Sequence, residues 1–507
     1  MKKTNINLVT NIVNPSPDYY CTWQTQLYAT CGGTPLEQRK NIGEHMLFAK
    51  EKPFGWAYFY EKARADLFLV MDDSWDVPLD GNESYYGSLI LNREKFPEAV
   101  QNERNNAKAL KYLTERIRAI GWKGLGGWVC AQESKLFTEN LTTEQYWAER
   151  LKDANSAGFS YWKVDWGKKA RNMQFRKMLT DLAKEFAPNL TVEHAVISDA
   201  IPYSDVYRTY DVPAIFSIPM TMRKLKEVLC GKKTDNGYLG LINCEDEVYI
   251  AAAGGFTMGV MRHPFVGAFE DGRADCSFPA VHRNLKTKMQ EVVRAVRWHR
   301  MAPAFGVREG DVYVDEKELC DTWRFENIGE EIESWWLNHP FFADMKDDSM
   351  SVSAPARISR GCALPEVTPN NDGNVPYIVA SKHPNGVYSI VTLGRTLNRK
   401  YEIPRCNVSF RIDSADTVAV FGDYETLILE TAHKKIKTVY MQDLADETAY
   451  DVTENIIFEE QKIIIPGELI QKIGTLSQSQ EDTSEPGVVI RLILSDHKRY
   501  CTNAKFS

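Results

Sequence analysis

A chain of 507 residues exceeds what one hydrophobic core can organise and implies two or three domains. Its 43% hydrophobic content suffices for large cores, and a net charge of -8 at pH 7 with no basic patch interleaved with aromatics excludes nucleic acid and anionic membrane as expected partners. Homo-oligomerisation stays open.

The amino terminus, Met-Lys-Lys-Thr-Asn-Ile-Asn-Leu, sets two lysines ahead of scattered apolar residues without a continuous apolar stretch, so it does not read as a secretion signal. No window is apolar for long enough to span a bilayer. Ten scattered cysteines fit free thiols in a reducing compartment. The expected location is cytoplasmic, with a secreted or periplasmic form trimmed of its signal as the alternative.

Strand-like runs at 20–28, 66–73, 123–131, 159–165, 190–195, 204–209, 238–243 and 257–263 alternate with amphipathic helical patterns. The clearest helix is 142–157, where Thr142 and Gln145 suit a capping box and Tyr146, Trp147, Leu151 and Ala154 recur at helical spacing. Another is 286–301, with Met289, Val292, Val293 and Val296 on one face. Eight strand-helix units predict an α/β fold, a (β/α)8 TIM barrel over residues 1–305. Beyond Pro303-Ala-Phe-Gly306 the period changes to alternation, with a hairpin signal at Pro384-Asn385-Gly386 and short strands at 407–412, 416–421, 425–431, 436–440, 461–465 and 488–494. Residues 306–507 are therefore expected to form a C-terminal antiparallel β-sandwich. The polar stretch 340–375 reads as a long excursion between strands, and 477–485 as a mobile loop.

Several barrel strands run out into acid. Tyr161-Trp162-Lys163-Val164-Asp165 ends in a Lys-x-Asp pair, and in a parallel barrel the carboxyl end of each strand faces the active site. Lys163 lies on the same strand face as Asp165 and is expected to keep it ionised. Leu67 to Met71 leads into Asp72-Asp73-Ser74-Trp75, and Asp205-Val206-Tyr207 into Arg208-Thr209-Tyr210-Asp211. Carboxylates that move protons and hold hydroxyls, with aromatic rings for sugar faces, suit carbohydrate chemistry. The bland alternatives are a strand-end salt bridge at Lys163–Asp165 and ordinary packing for Trp23, Trp75, Trp128 and Trp166. No His-x-His, HExxH or Cys-x-x-Cys is present, Gly121 to Gly127 does not fit a dinucleotide fingerprint, and His263 and His299 read as structural. No metal and no cofactor are expected.

With these residues in place, the segment from Trp23 to about Gly306 resembles the melibiase group of retaining α-glycosidases, glycoside hydrolase family 27 and its clan relatives. The resemblance rests on Asp72-Asp73-Ser74-Trp75 at the second strand, Phe96-Pro97 and Leu110 to Lys123 before the third, and Lys163-Val164-Asp165 at the fourth. It implies Asp165 as nucleophile and Asp211 as acid/base. Arg208 and Asp211 are separated by two residues where the family usually has three. The resemblance further implies sugar contacts from Asp72 and Asp73, and from Glu193-His194 near the 2-substituent; Trp23, Trp75, Trp128, Lys163 and Arg208 complete the expected binding set. Should Asp211 point away, Glu193 and Glu245 are the next acids. The function so implied is exo-acting, retaining hydrolysis of a terminal α-linked sugar, α-galactosidase-like. The alternatives are another sugar (an arabinopyranoside, N-acetylgalactosaminide or glucoside) or a glycan-binding barrel without turnover.

Overall fold

The computed structural model describes residues 1–30, 35–51, 55–100, 105–138, 140–195, 197–209, 215–231, 233–267, 283–326 and 344–495. Eight parallel strands build one sheet: β1 Tyr19–Cys21, β2 Phe68–Met71, β3 Gly124–Val129, β4 Tyr161–Val164, β5 Thr191–Ala195, β6 Val206–Arg208, β7 Leu241–Asn243 and β8 Gly259–Val260. They follow one another from β1 to β7, β8 lies against β1, and a parallel bridge from Asn243 to Thr257 closes the barrel.

Every expected barrel strand is present, each shorter than its apolar run. The largest departure is the first, where the strand stops at Cys21 and Trp23–Ala29 is helix. Gln24, Thr25 and Gln26 are buried in that helix, and Gln26 donates to the Asp73 carbonyl at 3.2 Å. Polar residues on an inward face hide the helical period. The helix Thr143–Ala157 carries the expected capping box of Thr142 and Gln145, and Met289–His299 forms the last helix of the barrel region.

A glycine on β3 makes room for an interior ring. A Cβ on Gly126 would stand 2.6 Å from the Tyr161 Cβ, so β3 must be bare there for Tyr161 to fill the interior. Tyr19, Cys21, Val70, Tyr161 and Met261 pack together as that interior.

The second domain holds one nine-stranded and two five-stranded sheets. Pairing is mostly antiparallel, including the predicted hairpin of Tyr377–Lys382 with Tyr388–Leu393, whose turn has Gly386 at φ +86°. Parallel pairs join Arg357–Arg360 to Tyr377–Lys382, Tyr388–Leu393 to Thr417–Phe421, and Asn407–Asp413 to Thr426–Thr431. Ile378, Phe410, Val420, Leu427 and Ile490 belong to the core of these sheets.

Two expectations are corrected here. The stretch 340–375, where described, is largely strand: Asp344–Lys346, Ser349–Pro355, Arg357–Arg360 and Glu366–Thr368. Serines alternating with Met350, Val352 and Ala354 bury one face while the composition stays polar. The segment 477–485 is not a free loop but a clasp on the barrel. Lys288 Nζ donates to the Thr483 carbonyl and Glu485 Oε1, both at 2.8 Å, and Asp482 and Ser484 accept from the backbone of Gln290 and Glu291. Nearby, Arg294 and Asp443 form a fully buried ion pair between the domains at 2.8 Å. Lys2–Lys3 pairs with Tyr450–Asp451, so the start of the chain joins the nine-stranded sheet of the second domain.

Cysteines 21, 130, 230, 244, 320, 362 and 406 are free thiols, while Cys31, Cys276 and Cys501 lie outside the described residues. Among the described residues no helix is long and apolar enough to cross a membrane.

Candidate active site

Side chains alternate along a strand, so the residues that reach the barrel mouth are set by register. Two buried cations occupy it, each paired with carboxylate. Lys163 Nζ lies 2.7 Å from Asp72 Oδ2, with 3% and 4% of the two side chains exposed. The Cys21 thiol donates to the same Asp72 oxygen at 2.9 Å. Arg208 sits between two carboxylates, Nη2 3.1 Å from Asp165 Oδ2 and Nε 3.1 Å from Glu245 Oε1. Trp128 Nε1 donates to Asp165 Oδ2 at 3.2 Å.

This arrangement corrects the expected partner of Asp165. Lys163 reaches across to β2 and bonds Asp72, and Arg208 is the cation in contact with Asp165. Burial works to raise the Asp165 pKa, but Arg208 first and Lys163 second outweigh it and hold the carboxyl below the usual range. For Lys163, burial works downward and Asp72 more than reverses it, so the amine stays charged.

The backbone around Asp165 is held from behind. Arg176, on the helix Met173–Phe186, donates to the carbonyls of Val164 at 3.2 Å, Asp165 at 2.9 Å and Ala170 at 2.6 Å. The Asp165 N–H donates to the Val129 carbonyl at 3.0 Å, and the Ala131 N–H to the Trp166 carbonyl at 2.8 Å. Gly167 follows at φ +141°, where a Cβ would meet the Ala131 backbone at 2.7 Å. The loop after β4 is thereby pinned to the end of β3.

The remaining expected residues divide. Asp73 diverges from Asp72: Ser74 donates to it at 2.7 Å and Arg39 Nε stands 3.5 Å away. Burial pushes its pKa to about 7 despite both neighbours. Glu193 lies inside the barrel, fully buried, accepting from Tyr161 at 2.8 Å, Tyr19 at 3.1 Å and Asn243 at 2.6 Å. His194 faces outward, and so is not at the mouth. Its Nδ1 is 3.2 Å from Arg176 Nη1 and its Nε2 2.8 Å from Thr180 Oγ1, and burial with the Arg176 charge keeps it neutral.

Trp75 is a packing residue, buried against Phe159 with its N–H donated to the Trp128 carbonyl at 2.9 Å. Trp23 is half-buried against the interior cluster of Tyr19 and Cys21. Asp211 lies outside the described residues.

Sequence reasoning left Trp166, Arg39, Tyr19, Tyr161 and Asn243 out of the site. Tyr161 and Asn243 share the inward register of Lys163 and Glu245, so alternation could have found them. Arg39 comes from the short helix Pro35–Lys40, and nothing in its local sequence signals the mouth.

No protein-family model and no curated protein matches this chain. Solved structures to which it is similar include a GH27 β-L-arabinopyranosidase from Geobacillus stearothermophilus, at 9% identity over 96% of this chain and 98% of that one, TM-score 0.41. Another is a protein provisionally named alpha-galactosidase from Bacteroides fragilis, at 11% identity over 97% and 81% of the two chains, TM-score 0.40. A third is the GH36 alpha-galactosidase AgaA of Geobacillus stearothermophilus, at 13% identity over 61% of this chain and 46% of that one, TM-score 0.37. These are distant likenesses, and what the site can do chemically follows from its own side chains.

Proposed function

We propose that the protein is a retaining, exo-acting α-glycosidase, α-galactosidase-like, with Asp165 as nucleophile. The observation that carries this reading is the setting of Asp165: a carboxylate with 16% of its side chain exposed at the barrel mouth, one oxygen held by Trp128 and Arg208. A fixed, charged carboxylate at the end of a barrel strand is what attack on an anomeric carbon requires.

In the first step an Asp165 oxygen bonds to the anomeric carbon as the glycosidic C–O bond breaks, and the leaving oxygen takes a proton from a second acid. Asp211, three residues beyond Arg208, is assigned that role, with Glu245 as the alternative because it shares Arg208 with Asp165. Water then hydrolyses the glycosyl ester, its proton returning to the same acid. Arg208 orients the Asp165 carboxylate for attack in the first step and stabilises it as the leaving group in the second. Lys163 and Asp72, buried together beside it, offer a donor and an acceptor to the sugar hydroxyls, which supports selection by hydroxyl orientation.

The test is a panel of 4-nitrophenyl α-glycosides with wild type and Asp165→Asn. The α-galactoside should be cleaved fastest and the variant should lose at least about 10³-fold in kcat. Equal turnover by Asp165→Asn would refute the nucleophile, and no turnover of any α-glycoside by wild type would refute the enzyme.

A further inference from the structure

One aromatic side chain at the mouth has no part in the chemistry above. Trp166 directly follows Asp165, and 40% of its surface is exposed. Exposed tryptophans usually rotate freely, but this one is fixed on several sides. Its ring centroid lies 5.1 Å from that of Trp128 and 5.0 Å from that of Tyr86, and the Arg39 guanidinium stands 5.7 Å away over the ring. Its carbonyl accepts from Ala131, and Gly167 beside it occupies a conformation closed to other residues. Trp128 in turn donates to the Asp165 carboxylate. The exposed indole is therefore one ring removed from the nucleophile, and is held there before any ligand arrives.

Tight packing of an aromatic with an exposed remainder is costly in water and favourable when a ring with C–H faces or an aryl group covers it. The sugar that reacts is expected on the hydroxyl-binding side, where Asp72 and Lys163 lie. The indole is left for the other part of the substrate. We propose that Trp166 is the platform of a leaving-group subsite, taking the second sugar ring of a disaccharide or an aryl aglycone by stacking. This rests on the proposed α-glycosidase reading for the identity of the reacting sugar. The preorganisation by Tyr86, Trp128 and Arg39 means that little ordering entropy opposes the contact.

The test separates the platform from the chemistry. In Asp165→Asn, which cannot turn over, calorimetry should show an α-galactosyl disaccharide binding about tenfold tighter than galactose. Adding Trp166→Ala should abolish that preference, and adding Trp166→Phe, which keeps a ring, should retain most of it. In the active protein, Trp166→Ala should lower the ratio of kcat/KM for the disaccharide to kcat/KM for α-galactosyl fluoride, which has no ring to stack, by a similar factor. An unchanged ratio, with both substrates losing equally, would make Trp166 a support for Asp165 and overturn the platform. A disaccharide preference that survives Trp166→Ala would also overturn it. If wild type cleaves neither substrate but the calorimetric preference depends on Trp166, the platform stands and the glycosidase reading fails.

Discussion

Replacing Lys163 with Met tests the division of charge at the barrel mouth. Lys163 and Asp72 are 3% and 4% exposed and 2.7 Å apart. At an effective dielectric constant of about 20 their attraction is roughly 6 kcal/mol. Desolvation costs several kcal/mol per ion, so the intact pair is close to neutral for stability. Losing one partner is different. Among the described residues Asp72 would remain buried with only the Cys21 thiol as a side-chain donor, since Arg208 already serves Asp165 and Glu245. The cost of such a stranded charge is about 3–5 kcal/mol. Asp72→Asn should cost a comparable amount by stranding Lys163, and the double variant Lys163→Met with Asp72→Asn should cost at least about 2 kcal/mol less than the sum of the singles. Urea unfolding at pH 7, followed by tryptophan fluorescence and circular dichroism, measures all four proteins. A Lys163→Met variant losing under about 1 kcal/mol, or strictly additive singles, would refute the pairing.

Two further outcomes follow from the titrating groups. Arg208→Gln removes the contact that most depresses the Asp165 pKa, so the acid limb of the kcat/KM profile should move to higher pH; the active ionised form exists above that pKa and is lost as pH falls through it, and an unmoved limb would contradict the assignment. Asp73 has a folded pKa raised to about 7, so the native state holds a proton that the unfolded chain releases near pH 4. Its contribution to stability is full below that lower value and is lost as pH rises through about 7. Thermal unfolding across this range should show a decline that Asp73→Asn flattens, and an identical pH dependence in the variant would exclude Asp73 as its source.

The parts of this protein that are local in sequence are the parts that were legible in it. Apolar runs such as Leu67 to Met71 and Tyr161 to Val164 mark barrel strands because period and burial coincide there. The capping box at Thr142 and Gln145 is legible because both partners lie within one turn. Side-chain alternation does not let adjacent Asp72 and Asp73 point the same way, and the two do diverge. The same rule applied to Glu193 and His194 would have sent only one of them inward, as happens. What alternation cannot supply is the partner across the barrel: Lys163 faces the mouth, but whether it meets Asp165 or Asp72 depends on reach between strands 91 residues apart. Trp75 and Trp166 follow their acids in similar contexts, yet one is sealed in the core and the other half open, because burial of a loop ring is decided by tertiary neighbours. Polar composition fails likewise at 477–485, where the residues suited to a solvated loop are the ones that bond Lys288 and Gln290.

The central claim is that Asp165 forms a covalent bond to the sugar. The most direct measurement is to incubate the protein with a 5-fluoro-α-galactosyl fluoride, whose glycosyl ester hydrolyses slowly, and map the adduct by peptide mass spectrometry. A single glycosyl mass added to the peptide spanning Tyr161 to Lys168, localised to Asp165 and absent in Asp165→Asn, is the predicted result. A label on another carboxylate, or none while the reagent is consumed, would contradict it.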